Sequence, residues 1–475
     1  MRNLSRREFL AQSALAGAGL AFPISTWAQA KGANEDIRVA VVGFNGRGQD
    51  HISEFRKIKG VRVAALCDCD QAVLDRGAKL FADQKQKVEL YRDIRKLLEN
   101  KDIDAISIAT PNHWHSLAGI WGCQAGKDVY VEKPVSHSPW EGRKLVEAAR
   151  KYNRIVQTGT QSRSDHGLRE AIQWIRDGNI GKIQVARGLC YKRRPSIGKV
   201  KGPQPIPATV DYDLWCGPGP KLPLRREHLH YDWHWVWPTG NGDIGNQGVH
   251  QMDIIRWAAG KNTLSPRVMS VGGRLGYDDD GETPNTQMVV HDYGVLLLIF
   301  EVRGLPEKAG TETMDRYKGQ SIGQVIECEG GYLAGESAFD KEGKLIKKFS
   351  GEENHFENFI KAVRSRNVKE LNADILEGHL SSALCHTGNI SYRIGSERAP
   401  EEILEEIKGN PAGVETFERM KAHLLANKVD LEKSQLTLGA FLEMDPETEE
   451  FKDNEAANAL LTRKYRKPYI VPSSV

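Results

Sequence analysis

From residue 37 to about Gly159, short apolar runs alternate with amphipathic stretches. Segments 37–44, 61–68, 103–110, 129–132 and 155–158 read as buried strands. Segments 71–83, 94–99, 116–125 and 139–152 carry the 3.6-residue period of helices. Strand–helix alternation with short links predicts a doubly wound parallel sheet with right-handed crossovers. After Gly159 the texture changes. A helix at 167–176 precedes a strand at 185–191, and residues 195–245 are rich in Pro, Gly, Trp and His, as in loops that line a cleft. Runs at 288–290, 295–302 and 325–329 alternate like half-exposed antiparallel strands, and helices return at 355–366 and 373–392. The expected organisation is an address segment at 1–30, a parallel-sheet domain at 35–159, a second α/β domain with an open, mostly antiparallel sheet at 160–400, and a mostly helical extension at 401–475.

Composition narrows the partners. Of 475 residues, 40% are hydrophobic and 27% charged, and the formal net charge is only +3. Such a balance gives no electrostatic case for nucleic acid or an anionic membrane, and no apolar run reaches the roughly 20 residues of a membrane helix. A small-molecule partner fits better. Seven cysteines with no repeated spacing suit reduced thiols, not a disulfide framework.

The first thirty residues read as targeting. Ser5-Arg6-Arg7-Glu8-Phe9-Leu10 is followed by a mild apolar stretch and by Ala28-Gln29-Ala30, a small-x-small cleavage pattern. An arginine pair of this kind marks the twin-arginine route, which moves folded proteins. The expectation is an exported, periplasmic protein beginning near Lys31.

Gly43-Phe44-Asn45-Gly46-Arg47-Gly48 ends the first strand and opens a helix. Glycines there let backbone approach a pyrophosphate, and the helix start offers unpaired N–H groups. Asp68 ends the second strand, where a carboxylate accepts from ribose hydroxyls and repels a 2′-phosphate. NAD is therefore favoured over NADP, although Arg47 argues the other way, since a guanidinium suits that phosphate. Ala109-Thr110-Pro111-Asn112 and Glu132-Lys133-Pro134 each follow a strand, at the sheet edge where ligands bind. Thr110, Pro111, Asn112, His115, Glu132 and Lys133 join the glycine loop as candidate cofactor contacts. Pro134 biases Lys133 to an extended conformation pointing off the strand end.

Together with Gly245-Asn246-Gln247-Gly248-Val249-His250-Gln251-Met252-Asp253, these motifs resemble the Gfo/Idh/MocA oxidoreductases, in particular their secreted branch. The resemblance covers most of the chain beyond residue 30. It implies a Rossmann domain followed by an α/β domain whose sheet often joins subunits, hence a dimer or tetramer. It also implies that Lys133 hydrogen-bonds the reacting hydroxyl and that His250 is the general acid/base. Many members carry aspartate four residues before that histidine, where this chain has Asn246. Asparagine orients or donates but carries no proton relay, so Asp243 and Asp253 become candidate replacements.

For an alcohol oxidation, the unperturbed pKa of a histidine suits His250 to a neutral-pH proton shuttle, and Lys133 would stabilise an alkoxide. Trp233, Trp235 and Trp237 alternate, either as a platform for sugar C–H faces or as core. Gln161 and Arg163 are forked donors suited to hydroxyls. Gln161, Arg163, Trp235 and Asp253 form the candidate substrate set. His228, His230 and His234 lack companion ligands for zinc, so no metal is expected. Three functions remain open: an oxidoreductase acting on a carbohydrate, a redox-neutral NAD-dependent glycosidase or epimerase, and a carbohydrate-binding protein that keeps its cofactor without turnover.

Overall fold

The computed structural model describes residues 36–475; the expected targeting segment lies outside them. β1 (Ile37–Val42) sits at the centre of a six-stranded sheet with β2 (Val61–Cys67), β3 (Glu89–Tyr91), β4 (Ala105–Ile108), β5 (Asp128–Val131) and β6 (Val156–Thr158). The order is β3-β2-β1-β4-β5-β6, and every pairing is parallel. These strands read as continuous apolar runs because both faces are covered. Leu97, Leu117, Ile120 and Leu145 pack on Ile106 and Val129 on one side; Phe44, Phe55 and Phe81 pack on Val39 and Leu66 on the other. Strand order reverses between β1 and β4, opening a crevice at their carboxyl ends.

The second sheet is built around β7 (Ile183–Tyr191), β8 (Arg267–Gly273), β9 (Thr286–Asp292), β10 (Leu297–Arg303) and β11 (Ile322–Cys328), in the order β11-β7-β10-β9-β8. Only the β7–β10 pairing is parallel among these five. Short strands extend both edges. One face receives α1 (Gly248–Ala258) and α2 (Ile375–Arg393), with Val249, Ile255, Leu380 and Leu384 against Leu298 and Phe300. The other face is covered by the chain itself. Ile403 and Ile407 of one helix, with Phe417, Met420 and Leu424 of α3 (Pro411–Ala426), pack on Met269, Met288 and Val290. These helices bury the apolar side chains that β8 and β9 present on that face.

Two expectations about the chain beyond residue 350 are corrected. The helix His355–Ser365 lies on the first sheet, where Phe356 and Phe359 join the core of Phe55 and Tyr130. The extension beyond residue 400 is helical as far as Ala426 and again only in the short helix Glu455–Ala459. Leu436–Leu438 and Leu442–Asp445 then pair with β8, because their alternating apolar residues complete the sheet. Tyr469, Val471 and Val475 return to the core of the first domain. No described helix is long and apolar enough to cross a membrane.

Candidate active site

The glycine loop occupies the crevice at the end of β1. Gly43 has φ +75°, and a Cβ there would meet the Thr110 backbone at 2.8 Å, so only glycine fits. Gly48 is closed in the same way: a Cβ would meet the Gly43 carbonyl at 2.2 Å. Gly46 differs, since nothing lies within 4 Å of where its Cβ would be. The helix Gly48–Lys57 starts at that opening without a side-chain cap, and its Gln49 and Asp50 amides turn back onto the Gly46 and Arg47 carbonyls, so the positive end of the helix faces the crevice.

A cavity of about 410 Å³ runs from this loop to the second domain. Gly43, Phe44, Asn45, Gly46, Arg47 and Asp68 line one end, and Thr110, Pro111, Asn112, His115, Glu132 and Lys133 line its middle. Asp68 accepts from the Phe44 amide at 3.1 Å and the Asp70 amide at 3.0 Å, which fixes the carboxylate beside the loop. Burial raises its pKa. Thr110 Oγ1 is buried without a partner in the protein, which fits a polar ligand at that point. The open Gly46, the uncapped helix, the carboxylate at the end of β2 and this orphaned hydroxyl together suit a dinucleotide.

Glu132 is an anchor beneath the cavity. It accepts from Arg47 Nε at 3.0 Å, from Gln161 Nε2 at 3.2 Å and from the Lys133 amide at 3.2 Å, and pairs with His51 Nε2 at 3.1 Å. Burial opposes its charge, but His51, Lys133 and Arg47 outweigh it and hold the carboxyl well below its ordinary range. Arg47 is thus engaged by Glu132 and Asp50 and is not left for a 2′-phosphate. His115 braces the wall, its two ring nitrogens facing the carbonyls of Pro134 at 2.5 Å and Thr110 at 2.7 Å. The Lys133–Pro134 peptide is cis.

Lys133 Nζ crosses to the second domain and donates to the Asn246 carbonyl at 2.9 Å. Burial lowers its pKa. Asn246 thus acts here through its backbone. His250 stands in the first turn of α1, half-buried, just outside the set of residues that line the cavity. Burial first, and then the Lys133 charge, bring its pKa down to about 3, so the imidazole is neutral near neutral pH.

The substrate set is largely corrected. Arg163 and Asp253 bind each other, Nε–Oδ2 at 2.7 Å and Nη2–Oδ1 at 2.9 Å, in a buried cluster with Ser381 and Glu377, away from the cavity. Asp253 is therefore committed elsewhere and is no relay for His250. Asp243 is likewise held by Arg194 at 2.8 and 2.7 Å. Gln161 serves Tyr130 and Glu132. Trp235 is buried under the Arg194 guanidinium, 5.3 Å from its ring centre, in a 3₁₀ turn (Asp232–Trp235) and not on a strand. Trp233, Tyr231 and His234 line the cavity instead. The three histidines diverge: His228 pairs with Asp232, His230 with Asp70 at 3.0 Å, and His234 faces the Tyr231 carbonyl.

Sequence reasoning missed Lys192, Arg194 and Gln247 in the lining. It also missed a clasp. Segment 204–235 of the second domain crosses the crevice, with the Asp211 amide on the Cys69 carbonyl at 3.0 Å, the Gln71 amide on the Thr209 carbonyl at 2.9 Å and Trp114 Nε1 on the Leu214 carbonyl at 3.0 Å.

Residues 37–160 match the model for an oxidoreductase family with an NAD-binding Rossmann fold, and residues 180–410 match the same family's C-terminal alpha/beta domain. The chain belongs to the Gfo/Idh/MocA oxidoreductase family. Among curated proteins of this kind, alpha-N-acetylgalactosaminidase of Shewanella oneidensis is 30% identical over 31% of this chain and 34% of its own length. Inositol 2-dehydrogenase of Salmonella paratyphi B is 28% identical over 38% of this chain and 52% of its own length. The chain thus spans about a third to a half of the curated relatives it matches. The WlbA dehydrogenase of Bordetella pertussis, solved with NADH and UDP-GlcNAcA, shares the fold at 19% identity, TM-score 0.56, over 74% of this chain and 94% of that one. The cavity opens at the glycine loop of the segment that matches the NAD-binding Rossmann model.

Proposed function

We propose that the protein is an exported oxidoreductase that uses tightly held NAD to oxidise or reduce a hydroxyl-bearing carbon of a sugar, glycoside or polyol. The observation that carries this reading is the bond from Lys133 to the Asn246 carbonyl, which places an ammonium group at the domain junction beside a neutral His250. The loop at 43–48 and Thr110 would hold the pyrophosphate side, and Asp68 the adenosine ribose; Asp68 also favours NAD over NADP. When bound, the nicotinamide supplies the hydride acceptor or donor. Lys133 donates to the substrate oxygen and steadies its growing negative charge. His250, neutral at working pH, takes the hydroxyl proton in oxidation and returns it in reduction. Relatives named for inositol, N-acetylgalactosamine and a UDP-sugar acid support the carbohydrate class. The motif at Ser5–Leu10 supports export by the twin-arginine route.

The clasp at 204–235 favours a second reading, in which oxidation is transient and the cycle redox-neutral, as in a glycosidase or epimerase. A dinucleotide so enclosed would exchange slowly, which suits regeneration in place. Purified protein is mixed with a panel of sugars, polyols and glycosides while absorbance at 340 nm and products are followed. Accumulating keto-sugar supports net oxidation, and released aglycone without lasting reduction supports the redox-neutral cycle. No absorbance change and no product with any compound that binds would overturn both.

A further inference from the structure

We infer that the carbohydrate taken by this cleft carries an anionic group, a carboxylate or a phosphate, held by Lys192 next to Lys133. The inference rests on the carbohydrate reading above and deepens it. β7 ends at Tyr191, but the chain stays extended beside β10: the Lys192 amide donates to the Arg303 carbonyl and the Arg194 amide to the Gly304 carbonyl, both at 3.0 Å. In extended backbone, residues two apart project to one side. Lys192 and Arg194 accordingly both line the cavity, beside Asn246 and Gln247.

Their charges are not equivalent. Arg194 is neutralised by Asp243, and Arg47 by Glu132. Lys192 donates only to the uncharged Gln247 Oε1 at 3.0 Å, and Lys133 only to a backbone carbonyl. Among the described residues, neither ammonium has a carboxylate at ion-pairing distance. The two line the same stretch of cavity wall through neighbouring partners, Gln247 and Asn246, and Lys192 bears on the Lys133 charge after Glu132, Arg47 and Asp243. Lys192, which has no carboxylate partner, adds positive charge beside Lys133, and an anion between the two offsets their repulsion while gaining charge-assisted hydrogen bonds. Both groups face the cavity beyond the glycine loop, on the second-domain side, where a sugar would sit and not a pyrophosphate.

The test is calorimetric titration of the NAD-loaded protein with matched compounds: glucose with glucuronate and glucose 6-phosphate, and galactose with galacturonate. At least one acidic member is expected to bind about 10–100-fold more tightly than its neutral partner, the range one charged hydrogen bond supplies. Lys192→Met should erase that preference while leaving neutral-sugar binding in place, and Lys192→Arg should restore part of it. Whichever acid is preferred identifies the carboxylate or the phosphate. If Lys192→Met does not fold, wild-type protein still decides: rising NaCl should weaken only the acidic ligands. Equal or tighter binding of neutral sugars, or a preference that survives in Lys192→Met, would overturn the anionic site while leaving the carbohydrate reading intact. Absence of binding by every member would sink both.

Discussion

Lys133 and Asn246 lie 113 residues apart in sequence, yet the lysine Nζ meets the asparagine carbonyl at 2.9 Å and locks the end of β5 to the turn before α1. One side chain thereby marks both the nucleotide domain and the junction where substrate would enter. Lys133→Met removes the charge but keeps the stem. Turnover is expected to fall about 10²–10⁴-fold, with the dinucleotide still present by mass spectrometry of the purified protein.

The glycines of the loop separate fold from binding. Gly43→Ala meets both a positive φ and the Thr110 backbone, and should lower the melting temperature markedly. Gly46→Ala meets open space, so apo stability should change by no more than about 0.5 kcal/mol. Its methyl nevertheless enters the space assigned to the pyrophosphate. Copurifying dinucleotide should drop sharply in Gly46→Ala, and retention of full occupancy would remove the phosphate-loop assignment.

Arg163 and Asp253 form a buried pair and not a substrate clamp. Arg163→Met leaves Asp253 charged and short of its main partner, which should destabilise the protein by about 3–5 kcal/mol. Chemical denaturation gives that value. The KM of the surviving folded enzyme should change little, in contrast to a residue that touches substrate.

Acid stability follows from buried neutral histidines. Burial brings His113, His291 and His386 each down to about 3. Between pH 6.5 and about 3 the unfolded chain binds protons that the folded chain refuses, so stability falls as pH drops through this window and is level above it. Each such histidine costs about 2 kcal/mol at pH 5. Melting temperatures measured from pH 8 to 4 should be flat at the upper end and decline below about 6.5.

The clasp should control cofactor exchange. His230→Ala removes its bond to Asp70 and should speed dinucleotide release about tenfold, the effect of roughly one hydrogen bond. Stopped-flow fluorescence after adding a competing dinucleotide measures it, and an unchanged rate would show that the segment does not gate the site.

What could be read from sequence was what is encoded locally. The strands of the first sheet announce themselves because burial on both faces makes them uniformly apolar, and the phosphate loop because three glycines and a following helix are contiguous. β3 escaped, being three residues on an exposed edge. Lys192 and Arg194 gave no local sign: their placement depends on β7 running parallel to β10, a pairing between segments about a hundred residues apart. Arg163 and Asp253 had the right chemistry for a ligand but found each other first. Asn246 was weighed by its side chain, whereas its backbone carbonyl makes the contact. The charged C-terminal stretch read as helical because short strands such as Leu436–Leu438 carry too few residues to show an alternating period.

The return of Tyr469, Val471 and Val475 to the first domain has a consequence for biosynthesis. A Rossmann unit whose strands are made early stays incomplete at the ribosome until Tyr469 emerges and docks beside Trp114 and Trp121. Loading of the nucleotide would then follow synthesis of this distant segment and not that of the glycine loop itself.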